Sequence, residues 1–193
     1  MGNREDLLAG AKRCLYDKGY ARTTIRDITA AAGGVSMAAI GYHFGSKEAL
    51  LNQALAQASQ EWGRQLGKAL AAAPLSPGAT AAERFEIAWT HITGSFAEHR
   101  RLWTATFDVI GQVPHVPSLR EQLAAGLREA RLGLAHLLGG LGPDADPDTT
   151  WAVGSFYQAL LTGVMAQYLI DPDHAPTARD LAHGLQHIAG AHP

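Results

Sequence analysis

Residues 24–44 read Thr24-Ile25-Arg26-Asp27-Ile28-Thr29-Ala30-Ala31-Ala32-Gly33-Gly34-Val35-Ser36-Met37-Ala38-Ala39-Ile40-Gly41-Tyr42-His43-Phe44. Thr24 and Asp27 stand at the spacing of a capping box, in which the hydroxyl accepts from the third backbone N–H and the carboxylate reaches back. A short helix therefore starts at Thr24. It stops at Gly33-Gly34, because glycine takes the conformations that end a helix and turn the chain sharply. Ser36 caps a second short helix that runs to Phe44-Gly45. Two short helices about a glycine turn form a helix-turn-helix candidate. The second helix has an unusually small outer surface. A helix entering the major groove of DNA needs such a slim leading face, with a few groups reaching bases and phosphates. A small-residue helix packed against its neighbours has the same composition, so the pattern alone leaves both readings open.

Working outward, the rest of the chain also reads as helix. Upstream, Leu7, Leu8, Ala11, Cys14 and Leu15 recur at helical spacing and Gly19 ends the run. Downstream, Ser46 opens a long helix striped with Leu51, Leu55, Ala58, Trp62, Leu66 and Leu70, which ends before Pro74. Pro74 to Thr80 is a linker. Thr80 and Glu83 form a second capping box before Phe85, Trp89, Ile92 and Phe96. A break at His99-Arg100-Arg101 precedes Leu102, Trp103, Phe107 and Ile110. After a loop at Pro114 to Pro117, Ser118 and Glu121 open the next helix. Asp146 with Pro147 starts an apolar helix to Ile170, and Thr177 with Asp180 caps the last. No segment reads as a strand. The expected fold is all-α, with about nine helices and no internal repeat.

Composition agrees. Of 193 residues, 47% are hydrophobic and 18% charged, which supports a real core and argues against disorder. A single cysteine, Cys14, and the lack of a signal peptide point to the reducing cytoplasm. Cys14 reads as a packed thiol ahead of a redox sensor. Residues 152–170 are apolar enough to be checked as a membrane span. Their polar interruptions, the acidic flanks Asp148 and Asp171, and the absence of nearby Lys or Arg favour a buried helix instead. The net charge is −2, yet residues 1–50 hold seven Lys/Arg against five acids. A mildly basic head on an acidic body suits a protein that presents one end to a polyanion.

The run Thr23-Thr24-Ile25-Arg26-Asp27-Ile28, then Gly-Val-Ser, then Ile40-Gly41-Tyr42-His43-Phe44-Gly45-Ser46-Lys47-Glu48-Ala49-Leu50-Leu51 resembles the TetR family of transcriptional regulators. The resemblance implies a helix-turn-helix DNA-binding domain over residues 1–47. It implies an effector-binding and dimerisation body over residues 48–193. Ser36, Met37, Ala38 and Ala39 then occupy the exposed start of the recognition helix. Tyr42 and His43 match positions that meet the DNA backbone. Thr24 and Lys47 are phosphate contacts, Lys47 from the first turn of the fourth helix. Arg26 matches a position that in some relatives reads guanine, with a surface ion pair to Asp27 as its alternative. Two departures stand out. Gly33-Gly34 replaces a single glycine, which should shift the recognition helix, and Gly41 replaces a tyrosine.

In the body, Trp62, Trp89, Phe96, Trp103, Phe107 and Trp151, with His91, Thr93 or Tyr157 as polar anchors, are candidates to line an effector cavity. Aromatics at this spacing also serve as ordinary core. The uncharged stripes favour a small apolar or aromatic effector. The helix carrying Phe156, Leu160, Val164 and Tyr168 is apolar around most of its circumference. Pairing with a second copy would cover it, giving a homodimer on a pseudo-palindromic operator. Ligand is expected to tilt the fourth helix and release the operator, which requires different affinities for two states. No cofactor or metal is expected.

Other functions fit less well. The nine histidines include no H-E-x-x-H, and His183 with His187 read as an exposed or dimer-facing pair before a metal site. No nucleophile elbow or phosphate loop supports an enzyme. A non-specific DNA binder would be more basic. An activator or a DNA-free small-molecule binder of the same family remains the alternative.

Overall fold

In the computed structural model, which describes residues 2–74, 78–114 and 117–190, none of the described residues lies in a strand. Among them nine helices follow one another: α1 Asn3–Lys18, α2 Ile25–Ala31, α3 Met37–Phe44, α4 Lys47–Ala72, α5 Ala81–Gly94, α6 Arg100–Gln112, α7 Pro117–Leu137, α8 Pro147–Ile170 and α9 Ala178–Gly190. Part of the linker after Pro74, the middle of the loop after Pro114 and the Ser118 side chain lie outside the described residues.

The local signals act as their chemistry dictates. Thr24 and Thr80 both close capping boxes, the hydroxyl accepting from the third N–H while the acid accepts from the cap N–H. Asp146 accepts from the Thr149 N–H at 2.8 Å, with proline in the first turn. Thr177 and Asp180 bond each other reciprocally. Each such cap supplies acceptors for N–H groups that the helix itself leaves unpaired.

The chain forms two compact units. The first comprises residues 1–63 and 99–120, and thus takes in α1 to α3, α4 up to Gly63, α6 and the first turn of α7. Its core gathers Leu7, Leu15, Ile28, Ile40, Leu50, Leu51, Trp103 and Val109. α1 and α2 pack tightly because Gly10 has no side chain. A Cβ there would lie 2.8 Å from the Ile28 carbonyl oxygen. Polar ties reinforce the packing. Lys12 Nζ donates to both carboxylate oxygens of Glu61 on α4, at 2.5 and 2.6 Å. Arg101 of α6 donates to the carbonyls of Tyr16 and Asp17, capping the end of α1. Cys14 is buried here, and burial pushes its thiol pKa up, as befits a packed thiol rather than a reactive one.

The second unit comprises residues 64–98 and 121–193. Its core holds Phe85, Trp89, Ile92, Phe96, Leu134, Ala135, Leu161, Val164 and Met165. α5 packs along α9, where Ala178 and Ala182 permit close approach. No described helix is long and apolar enough to cross a membrane.

Candidate nucleic-acid interface

The turn between α2 and α3 is built from two left-handed residues. The Gly33 N–H bonds the Ala30 carbonyl at 3.1 Å, and the Gly34 N–H bonds that of Thr29 at 2.9 Å. This is a Schellman ending with Gly33 at its left-handed position. Gly33 has φ 83° and Gly34 has φ 85°, so the additional glycine makes a second left-handed step before Val35. Ser36 then caps α3, its hydroxyl oxygen accepting from the Ala38 N–H at 3.2 Å.

α3 turns one residue inward, Ile40, and presents most of the rest to solvent. Met37 is 57% exposed and Tyr42 86%. Ser36, Ala38 and Gly41 are also exposed, while Ala39 and His43 are half-buried. The expected start of the recognition helix is thus exposed at Ser36, Met37 and Ala38 and only partly at Ala39. Tyr42 does not pack beneath the helix. Its ring meets His43 edge-on at 4.9 Å and otherwise projects outward.

Beside α3 lies a polar rim. Thr24, Ile25, Arg26, Met37, Ser46, Lys47 and Glu48 line one shallow, open depression where α2, α3 and α4 begin. Lys47 Nζ donates to the Thr23 carbonyl at 3.2 Å and lies 3.4 Å from the Glu48 carboxylate. Lys47 therefore ties α4 to the start of α2 as well as placing positive charge in the depression. Asp27 is not the partner of Arg26. It pairs with Lys18 at 2.5 Å and with Thr24, and these bonds, Lys18's first, bring its carboxyl to about 2. Arg26 is exposed and makes no ion pair among the described residues, so its guanidinium is free to meet an external acceptor.

Three positioning residues escaped the sequence reading. Thr23 is buried and its hydroxyl donates to the Gly19 carbonyl at 2.7 Å, holding the end of α1 against the start of α2. Its only signal was its place beside Thr24. The Tyr20 hydroxyl donates to Asn52 on α4 at 2.8 Å, and burial, assisted by the Glu48 charge, pushes it up to about 12. Arg4 sits over the Phe44 ring at 5.3 Å, bracing the end of α3.

The candidate effector residues divide between the units and form only small groups within each. In the first, Trp62 and Trp103 are buried edge-to-face at 4.8 Å, and Phe107 is half-buried. In the second, Phe85 links Trp89 and Tyr157, with ring centroids at 5.8 and 6.2 Å. Trp89 is 0% exposed, and its indole N–H meets no acceptor among the described residues. Tyr157 donates to the Leu138 carbonyl at 3.2 Å. Phe96 is buried against Tyr168. His91 faces solvent, one residue off the buried Trp89–Ile92–Phe96 stripe, and Trp151 is half-exposed under the Arg131 guanidinium.

The expected dimer residues also part company. Phe156 is 47% exposed, Leu160 and Tyr168 are half-buried, and Val164 is 1% exposed. Val164 packs inward with Leu161 and Met165, so the outward apolar surface of α8 is carried by Trp151, Phe156 and Ile170. His183 and His187 are exposed on α9, and no group of three ligating side chains among the described residues could hold a metal ion.

Comparison with known proteins covers most of the chain. Residues 7–54 match the family described as bacterial regulatory proteins, tetR family, and residues 81–193 match the BetI-type transcriptional repressor C-terminal family. The chain belongs to the TetR family of transcriptional regulators. A curated relative, the HTH-type transcriptional repressor AcnR of Corynebacterium efficiens, is 42% identical over 50 residues. The aligned segment is 26% of this chain, and it spans about a quarter of the relative's length. A structure titled as a transcriptional regulator from Streptomyces coelicolor A3(2) superposes with TM-score 0.70 at 22% identity, covering 96% of this chain and 97% of that one. Salmonella enterica GusR gives 0.62 at 20% identity, covering 98% and 96%. The multidrug binding protein EbrR, complexed with proflavin, gives 0.64 at 20% identity, covering 97% and 99%. These likenesses place the helices of this TetR-family chain in the family's fold, and its kin are regulators rather than enzymes.

Proposed function

We propose that this protein is a ligand-responsive, DNA-binding repressor, acting in the cytoplasm as a homodimer on a pseudo-palindromic operator. The observation that carries the reading is the pairing of a slim, outward α3 with a polar rim of Thr24, Arg26 and Lys47. Thr24 and Lys47 meet phosphates, joined by Tyr42 and with His43 behind it. Arg26, free of carboxylate partners, offers its fork to a guanine edge, a pair worth ~1–3 kcal/mol of discrimination. Ser36, Met37, Ala38 and the partly exposed Ala39 face the groove.

Dimerisation explains the outward apolar residues of α8. Half-exposed Trp151 and Phe156 and strongly exposed Ile170 and Ile188 would be covered by a second copy of α8 and α9. Two such heads would meet half-sites about 34–36 Å apart, or a multiple of that.

The effector is proposed to be small and mainly apolar or aromatic. The contact of buried Phe85 and Trp89 with half-buried Tyr157 supports this, and so does the planar aromatic proflavin bound by EbrR. Trp89, whose indole N–H has no acceptor among the described residues, is the residue to which an effector would offer one.

The test is selection of random duplex DNA on the purified protein, beside the Tyr42→Ala and Lys47→Ala variants. A palindrome recovered by the parent and lost by the variants is the expected result. Because Lys47 also ties α4 to Thr23, Tyr42→Ala is the cleaner variant. Recovery of no motif at moderate salt, without effector, would overturn the repressor reading. It would favour a DNA-free ligand binder.

A further inference from the structure

What α3 can read is limited by what it displays. From Ser36 to Gly45 the chain has no Arg, Lys, Asn, Gln, Asp or Glu. α3 therefore lacks every side chain that makes a two-point hydrogen bond with a base edge in the major groove. The groove has one apolar feature, the C5-methyl group of thymine, and it is met by small apolar side chains. Met37 and Ala38 are the outward residues of that kind. Met37 is flexible and polarizable, able to adjust its thioether to a methyl group. The Ser36 hydroxyl oxygen accepts from the Ala38 N–H, and its remaining O–H and lone pair can meet a donor or an acceptor alike, so it does not select one base. The surroundings fit the same occupant: Arg26 and Lys47, against the single carboxylate of Glu48, leave net positive charge beside Met37, as a surface meeting phosphates outside and bases inside requires.

Resting on the DNA-binding reading above, we propose that α3 selects its half-site through pyrimidine C5-methyl groups, with Met37 and Ala38 as the specificity-determining residues. Arg26 and Met37 line the same depression, so the base pair offered to the guanidinium neighbours the ones read by methyl contact. Hydrogen-bond readout thus falls to α2 and apolar readout to α3. α3 has no amide or charged group to distinguish the thymine O4 acceptor from the cytosine N4 donor. A cytosine methylated at C5 therefore satisfies α3 as thymine does, and operator affinity responds to cytosine methylation.

The experiment uses the full chain and the duplex recovered by selection. Each thymine of a half-site is replaced in turn by deoxyuridine, and the thymine pairs by cytosine or 5-methylcytosine pairs. Deoxyuridine removes only the methyl group and is expected to weaken binding roughly fourfold at each thymine that α3 reads. At those positions 5-methylcytosine should bind more tightly than cytosine by a similar factor. Met37→Ala, at an exposed position outside the core, should erase the thymine–uracil difference at one position. It should leave the salt dependence unchanged, because no phosphate contact is lost. A recovered motif bound equally with thymine and uracil throughout would overturn this proposal and leave the DNA-binding reading standing. So would discrimination that persists unchanged in a Met37→Ala, Ala38→Gly variant. Recovery of no motif would overturn both.

Discussion

Both units leave apolar surface uncovered, and they do so in opposite ways. In the first, the outward residues of α3 are small or isolated, Ala38, Gly41, Met37 and Tyr42, and Met37 shares a depression with Arg26 and Lys47. In the second, the outward residues of α8 and α9 are bulky, Trp151, Phe156, Ile170 and Ile188. A slim apolar face whose polar rim carries Arg26 and Lys47 suits a groove walled by phosphates. Large exposed apolar side chains suit a matching apolar surface, which a second copy supplies. Exposed apolar area is therefore no single signal, and the size and charge of its neighbours decide the partner.

The largest expected effect tests whether the aromatics of the second unit are core. Trp89 is fully buried against Phe85, so Trp89→Ala should destabilise by ~3–5 kcal/mol, read as a lower urea midpoint in unliganded protein. A loss below about 1 kcal/mol would mean that the ring borders space rather than packed atoms, the behaviour of a cavity wall. Trp89→Phe gives the companion measurement, because it keeps most of the volume and removes the unpaired N–H.

These two surfaces were not equally legible in the sequence. Capping is local, with donor and acceptor three residues apart, so Thr24 with Asp27, Thr80 with Glu83 and Thr177 with Asp180 could be read directly, and with them the helix starts. The faces of long helices were harder to assign. Phe156, Leu160, Val164 and Tyr168 advance four residues at a time, and each step turns about 40° further around the helix. Two steps carry the series about 80° off its face, so Phe156 points out while Val164 points in. His91 suffers from the same geometry, lying one residue off a buried stripe. Contacts between distant residues, such as Lys12 with Glu61 or Arg101 with the end of α1, leave no mark in local spacing at all.

A smaller effect probes how the first unit sets its recognition helix. Gly34 is left-handed, and Gly34→Ala places a Cβ in a backbone region that disfavours it by roughly 1–2 kcal/mol. No neighbouring atom obstructs that Cβ, so the cost is conformational rather than steric. Thermal melting should show the loss, and binding to the selected operator should weaken as α3 is displaced. Unchanged melting and affinity would mean that the additional glycine has no part in placing α3.

The smallest effect compares one device shared by both units. Asp27 and Glu83 each close a capping box, and both carboxyls are held below their ordinary values. For Asp27 the first cause is the Lys18 ammonium, followed by the Thr24 backbone and hydroxyl. For Glu83 the first causes are the Thr80 backbone and hydroxyl, and the Arg84 charge contributes least. A carboxyl whose pKa is lower in the folded than in the unfolded chain stabilises the fold fully above the unfolded value. That contribution is lost as pH falls through the folded one. For Asp27 the window runs from its ordinary 3.8 down to about 2. Across it, the melting temperature of the parent should fall further than that of Asp27→Asn, with the gap between them constant above the window. Lys18 is exposed and Asp27 only half-buried, so salt screens their ion pair but leaves the capping hydrogen bonds. Added salt should therefore shrink the Asp27→Asn difference and scarcely touch that of Glu83→Gln. Equal salt sensitivity would mean that Lys18 adds nothing to the α2 cap, and that both boxes work by hydrogen bonding alone.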